Sequence, residues 1–160
     1  ARAFCGTHLD TDDFYWAPSD PPYTVKRPVP ERIALIRAAQ GQGPWVLSGS
    51  ADGWGDGLVE TADLVVFLTL PTRTRLQRLK RREAARFGAR IRPGGDMARM
   101  HGEFLAWAAG YDDPYFGGRS LARHRAWLAS RTCPVLEMSG AQPTAEQVQA
   151  VQAALAVPVG

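Results

Sequence analysis

Residues 64–70, Leu-Val-Val-Phe-Leu-Thr-Leu, constrain the fold more than any other stretch of the chain. The run is seven residues long, far short of the roughly 18–20 apolar residues a membrane-crossing helix needs. Its length and β-branched content suit a strand, and a continuous apolar strand is the kind buried on both faces of a parallel sheet. Pro71-Thr72 follows and opens a long helix, with Leu76 and Leu79 inward and the arginines mostly outward. Helices must cover such a sheet, so the expected class is α/β: a mostly parallel sheet with flanking helices.

The remaining segments alternate in the same way. Residues 8–11 read as a short strand ending in acidic residues. Residues 13–30 read as a loop, because Pro18, Pro21, Pro22, Pro28 and Pro30 exclude long regular structure. Pro30 opens a helix with Ile33, Leu35 and Ile36 as its apolar positions, closing near Gly41-Gln42-Gly43. Residues 45–48 form the next strand, followed by a Gly-rich turn and a short helix at 58–62. Beyond the long arginine helix, residues 87–120 are rich in Gly, Pro and aromatics, with one helix near 97–109. A helix at 120–129, a strand at 133–138 and an amphipathic helix at 144–156 complete the order. The opening residues, Ala1 to Gly6, read as the last turn of a helix stopped by Gly6. No repeat and no linker is visible, so residues 1–160 are expected to form one domain, with 83–118 as a lid within it.

Composition narrows the function. With 45% hydrophobic and 22% charged residues, collagen-like, low-complexity and disordered classes are excluded. Cys5 and Cys133 make no C-x-x-C pair and no zinc spacing, and read as small buried hydrophobes. With no visible secretory signal, a reduced cytoplasmic protein is expected. His8, His101 and His124 show no metal spacing. The net charge of +3 hides a strong asymmetry. Asp10, Asp12, Asp13 and Asp20 fall between residues 8 and 20 without a Lys or Arg. Arg73, Arg75, Arg78, Lys80, Arg81, Arg82, Arg86, Arg90 and Arg92 fall between 73 and 92 against Glu83 alone. This pattern suits a polyanionic ligand held with a divalent cation, or else a solvated helix face. The preponderance of Arg, whose planar fork makes bidentate phosphate contacts, favours the ligand.

Ligands of open parallel sheets bind beyond the carboxyl ends of strands. Leu9-Asp10-Thr11-Asp12-Asp13 puts three carboxylates at such an end. If the strand runs through Asp12, Asp10 and Asp12 point the same way, able to hold magnesium through water and to accept a proton from a substrate hydroxyl. The alternative is an Asx-turn and helix cap.

Here the chain resembles a known group. Leu9-Asp10-Thr11-Asp12 resembles the second strand of shikimate-kinase-type proteins, and Asp12-Asp13-Phe14-Tyr15 is similar to the strand end of uridine kinases. In the order of its elements the chain is identified as a member of the adenylate-kinase-like P-loop kinases. The resemblance implies that Asp12 contacts the acceptor hydroxyl and that Asp10 lies near magnesium. It implies that Arg78 and Arg82, the R-x-x-x-R of the helix entering the lid, contact nucleotide and phosphates. Arg119 and Arg123, after Tyr111-Asp112-Asp113, would close on the transferred phosphoryl group, although the arginine that precedes the paired Asp in adenylate kinases is Gly110 here. Ser139-Gly140-Ala141-Gln142-Pro143 would meet the adenine base. Ser48, at the third-strand end, would serve substrate and magnesium but lacks the family's Asp-Gly. Lys26 and Arg27 lie where the acceptor-binding segment should be and would hold an anionic acceptor, or else face solvent. The tryptophans read mostly as core or lid packing, with an acceptor pocket lined by Trp16 and Trp54 as the alternative. ATP and Mg2+ are the implied cofactors, and the partners are ATP and a small acceptor, with neither membrane nor nucleic acid expected.

One motif is missing. The P-loop, G-x-x-x-x-G-K-[ST], occurs nowhere in the 160 residues. In the family it follows the first strand, so the expectation is that strand one, the P-loop and most of helix one precede Ala1. The family sheet order, 2-3-1-4-5, would then lack its central strand, leaving this chain weakly stable and unable to turn over ATP alone. Rival readings are a non-catalytic nucleotide- or nucleic-acid-binding module using the arginine helix, and an inactive remnant.

Overall fold

A strand β1 (Thr7–Asp10) and a strand β2 (Trp45–Ser48) pair in parallel, with Leu9 opposite Leu47 and Asp10 opposite Ser48. They belong to a computed structural model that describes residues 1–156. Short helix α1 (Thr11–Tyr15), α2 (Val29–Gln40) and α3 (Asp56–Val59) accompany them. A second two-stranded sheet joins β3 (Val65–Thr69) to β4 (Val135–Ser139). The Val65 amide donates to the Pro134 carbonyl and the Gly140 amide to the Thr69 carbonyl, so these strands also run parallel. Around them lie α4 (Thr72–Phe87), α5 (Ala98–Ala109), α6 (Leu121–Ala129) and α7 (Thr144–Ala156). The class is therefore mixed α/β with short parallel sheets and flanking helices.

The chain divides into two compact units. One holds Ala1–Val65, Thr132–Pro134 and the chain from Gln152; the other holds Val66–Arg131 and Val135–Val151. The first is built on Leu9, Ile36 and Leu58, with Phe14, Ile33, Leu47 and Trp54 packed against them. Its α2 begins at Val29 because Pro28 and Pro30 supply φ values ready for a helix and need no amide partner. In the second unit, Ser120 caps α6 by accepting the Arg123 amide, and Phe67 of β3 meets His124 of α6 edge-on.

Several expectations are corrected. The first strand is Thr7–Asp10 rather than 8–11, and of the two alternatives for its acidic end the cap is formed, because the Asp10 carboxylate accepts the Asp12 amide and starts α1. The apolar run is not buried on both faces: Leu68 is 51% and Val66 37% exposed, while Phe67 on the opposite face packs on α6. The opening turn is 3-10 (Arg2–Phe4) and ends at Cys5 in the left-handed region, not at Gly6. Gly6 serves close approach instead, since a Cβ there would lie 3.0 Å from the Pro44 carbonyl oxygen. Cys5 is exposed and Cys133 half-buried, so neither is a buried hydrophobe. The third helix lies at Asp56–Val59 rather than 58–62. The helix expected near 97–109 is α5, and it lies between two 3-10 turns, Gly88–Ile91 and Gly110–Asp112, that the sequence reading did not place. No helix among the described residues is long and apolar enough to cross a membrane.

Candidate functional site

Each unit carries its own cluster of charged groups. In the first, the ends of β1 and β2 meet α1. Asp10 Oδ1 accepts the Asp12 amide at 3.0 Å, which turns this carboxylate toward the helix backbone. Asp12 itself lies exposed in the first turn. Ser48 is held between the strands, 3.0 Å from His8 Nε2 and donating to the Leu9 carbonyl. The next residue, Gly49, has φ +109°, and a Cβ there would fall 1.8 Å from Thr11 Oγ1. Only glycine fits, because the turn after β2 passes directly against the buried start of α1.

The loop after α1 folds back on itself. The Ala17 amide donates to Val25 and the Arg27 amide to Tyr15, so Trp16 and Lys26 lie opposite each other. This puts Lys26 Nζ 6.0 Å from the centroids of both the Tyr15 and Trp16 rings. Arg27 is drawn elsewhere, into an ion pair with Glu31 at 3.1 Å. Trp54 donates its indole N–H to the Ser50 carbonyl and turns its ring edge-on to Tyr15.

Arg32 lies at the centre of this group. It is only 6% exposed. Its Nε donates to the Arg27 carbonyl at 2.7 Å, and its guanidinium lies 3.8 Å over the Tyr15 ring and 5.5 Å from that of Trp54. No carboxylate among the described residues forms an ion pair with it. Aromatic contact with a cation is worth about 0.5–2 kcal/mol, whereas an uncompensated buried charge costs several kcal/mol. Arg32 also sits in the first turn of α2, where the helix dipole opposes a cation. Sequence reasoning missed this residue. The available signal was its i, i+4 spacing to Ile36, which is fully buried, placing a charge on the apolar stripe.

The second unit gathers the arginine helix and the loop after β4. Arg78 Nη1 donates to the Gly140 carbonyl at 3.0 Å. That loop is further held by Ser139 Oγ, which accepts the Ala141 amide, and by the Gln147 amide side chain, which donates to the Gln142 carbonyl. Pro143 ends the loop and its carbonyl accepts the Gln147 amide in the first turn of α7. Arg82 is engaged differently: its Nε meets the carboxylate of buried Glu83 at 3.2 Å. Arg78 has no carboxylate partner among the described residues, so the two arginines of R-x-x-x-R are not equivalent. Arg119 lies over the Trp107 ring at 5.4 Å, and Arg123 lies exposed in the first turn of α6.

A third arginine, Arg75, acts structurally. It reaches the carbonyls of Leu70 and Ala108, pairs with Asp112 at 3.5 Å and stacks on Tyr111 at 4.6 Å. Asp112 also accepts the Thr72 hydroxyl. The Tyr111 hydroxyl lies 2.7 Å from His124 Nδ1, and burial raises the phenol above its ordinary value against the opposing pull of Arg75. Gly110 is closed to any side chain, since a Cβ would lie 2.7 Å from the Phe116 ring. Among the described residues no group of three or more His, Cys, Asp or Glu side chains is arranged to hold a metal ion.

No family model matches the chain, and no solved structure matches it. A protein of Bacillus subtilis (strain 168), the uncharacterized protein YqaC, is 41% identical over 146 residues, which span 91% of this chain and 80% of YqaC.

Proposed function

The chain belongs to the same family as YqaC, and for it we propose a phosphotransferase that, in the intact protein, moves the γ-phosphoryl group of ATP to a small-molecule acceptor. The observation that carries this reading is the bond from Arg78 to Gly140. Two segments 62 residues apart, each assigned to the nucleotide by the resemblance on separate grounds, come into contact. The strand pairings add support. In a 2-3-1-4-5 order the second strand neighbours the third and the fourth neighbours the fifth; β1 pairs with β2 and β3 with β4.

The residues present fit part of a nucleotide. Arg78, without a carboxylate partner among the described residues, suits its phosphates, and the backbone of Gly140, Ala141, Gln142 and Pro143 suits the base. Arg82, Arg119 and Arg123 add positive charge for the transferred group. The 160 residues contain no cradle for the β-phosphate, so the proposal concerns the intact protein. Asp10, one of whose carboxylate oxygens caps α1, and Ser48 would be the residues that hold magnesium, which would supply charge neutralisation for the phosphates. The Asp12 carboxylate orients the acceptor hydroxyl and takes its proton as that oxygen bonds to phosphorus and ADP leaves. Lys26 and Trp54 hold the acceptor, while Arg27 is committed to Glu31.

The test is acceptor-stimulated ADP release by the intact protein, screened over nucleosides, nucleotides and small hydroxy metabolites. Asp12→Asn is expected to lower turnover at least 100-fold, within the range for a general base, while leaving ATP affinity within twofold. Arg78→Ala is expected to weaken ATP at least tenfold. Absence of ADP release with every acceptor, together with oligonucleotide binding that falls steeply with salt, would replace this reading with a nucleic-acid module on α4.

A further inference from the structure

Arg32 is a buried cation without an anion, and the architecture around it keeps it so. Its Nε is committed to the Arg27 carbonyl, which fixes the plane of the guanidinium over Tyr15. The two terminal nitrogens make no hydrogen bond to any described residue. Glu31, its neighbour on α2, pairs with Arg27 instead. A second cation, Lys26, adjoins the same Tyr15 ring and likewise has no carboxylate partner among the described residues. A fixed planar fork, held from one side by a carbonyl and from its face by a ring, is preorganised for two parallel hydrogen bonds to an oxyanion.

We infer that Arg32, backed by Tyr15 and Trp54 and flanked by Lys26, is an oxyanion-binding site of the first unit, taking the phosphate monoester or carboxylate of a small ligand. The ligand completes what the fold omits: it supplies the countercharge to a guanidinium that is largely buried and already fixed in place, so little is lost in ordering the site. If the chain is a phosphotransferase, this oxyanion belongs to the acceptor, and the substrate is an anionic alcohol rather than a neutral one. The anion site itself does not depend on that reading. A protein that binds the oxyanion and never transfers phosphate keeps this inference and loses the other.

The experiment uses the full chain, 15N-labelled at arginine side chains, titrated with inorganic phosphate in one arm and acetate in the other. The buried Nε–H of Arg32 gives a protected resonance, assigned by its loss in Arg32→Lys. Phosphate, acetate or both are expected to shift this resonance saturably, and the arm with the lower dissociation constant identifies the ligand's anionic group. Arg32→Lys keeps the charge and loses the fork, and is expected to weaken that anion at least tenfold. Phosphate or acetate is also expected to raise the melting temperature of the wild-type chain and to lose that effect in Arg32→Met. If neither anion moves the Arg32 resonance up to tens of millimolar, or if Arg32→Lys and Arg32→Met bind the anion as the wild type does, the site is overturned. The wild-type titration decides the matter even if a variant fails to fold.

Discussion

Arg78 and Gly140 are joined by a 3.0 Å hydrogen bond from the guanidinium Nη1 to the carbonyl oxygen. The bond ties the middle of α4 to the loop between β4 and α7. Its removal in Arg78→Ala is expected to cost about 0.5–1.5 kcal/mol, the usual net worth of one such bond. Amide exchange should report it directly, with faster exchange at Ala141 and Gln142 and little change in β1 and β2. Equal exchange in both proteins would show that the loop is held by its own turn alone.

Gly49 faces Thr11 too closely for a side chain and holds φ +109°. Gly49→Ala is expected to destabilise the first unit by roughly 2–4 kcal/mol, combining backbone strain with overpacking. Thr11→Ala in the same chain should recover only the part due to crowding, because the backbone conformation remains unfavourable. Urea unfolding of the two variants separates these contributions.

Asp10 has a structural duty apart from any chemistry. Asp10→Ala removes the cap of α1 and is expected to cost about 1 kcal/mol. Asp10→Ser retains a capping oxygen and should restore most of that stability. If the carboxylate also serves magnesium, Asp10→Ser will be stable but catalytically impaired, so denaturation midpoint and ADP release diverge.

Arg75 makes contacts that a lysine cannot reproduce together: two carbonyls, the Asp112 carboxylate and the face of Tyr111. Arg75→Lys is expected to lower stability by about 2 kcal/mol. Loss of the near-ultraviolet signal from Tyr111 should accompany the change, and nucleotide affinity should stay within a fewfold of the wild type.

Burial raises the Tyr111 phenol. The folded form then holds this proton to a higher pH than the unfolded chain does. The stability it contributes is complete below the unfolded value of about 10 and is lost as pH rises from there through the folded value. Ultraviolet titration should show a late tyrosine ionisation, and that late step should vanish in Tyr111→Phe.

Much of the element order was legible from local rules. The apolar run at 64–70, Pro30 at the start of α2, the glycines near its end and the period of α4 all act within a few residues, and the elements formed near the places these signals indicate. Strand ends were less legible. Asp10 and Asp12 are compatible with a strand or with a cap, and the choice went to the cap because a carboxylate beside a free helix amide makes a bond at once.

By itself the sequence determined the α/β alternation, the acid-rich end of β1 and the concentration of arginine on α4, since each follows from residue type and short-range spacing. Only the tertiary structure decided which arginine does what. Arg75 became a structural tie, Arg82 met Glu83, Arg78 met Gly140, and Arg32 was buried without a countercharge. The same is true of Gly49 and Gly110, whose neighbours Thr11 and Phe116 come near only on folding. Close packing and the choice among competing partners depend on residues brought together by folding, which residue type and spacing only partly signal.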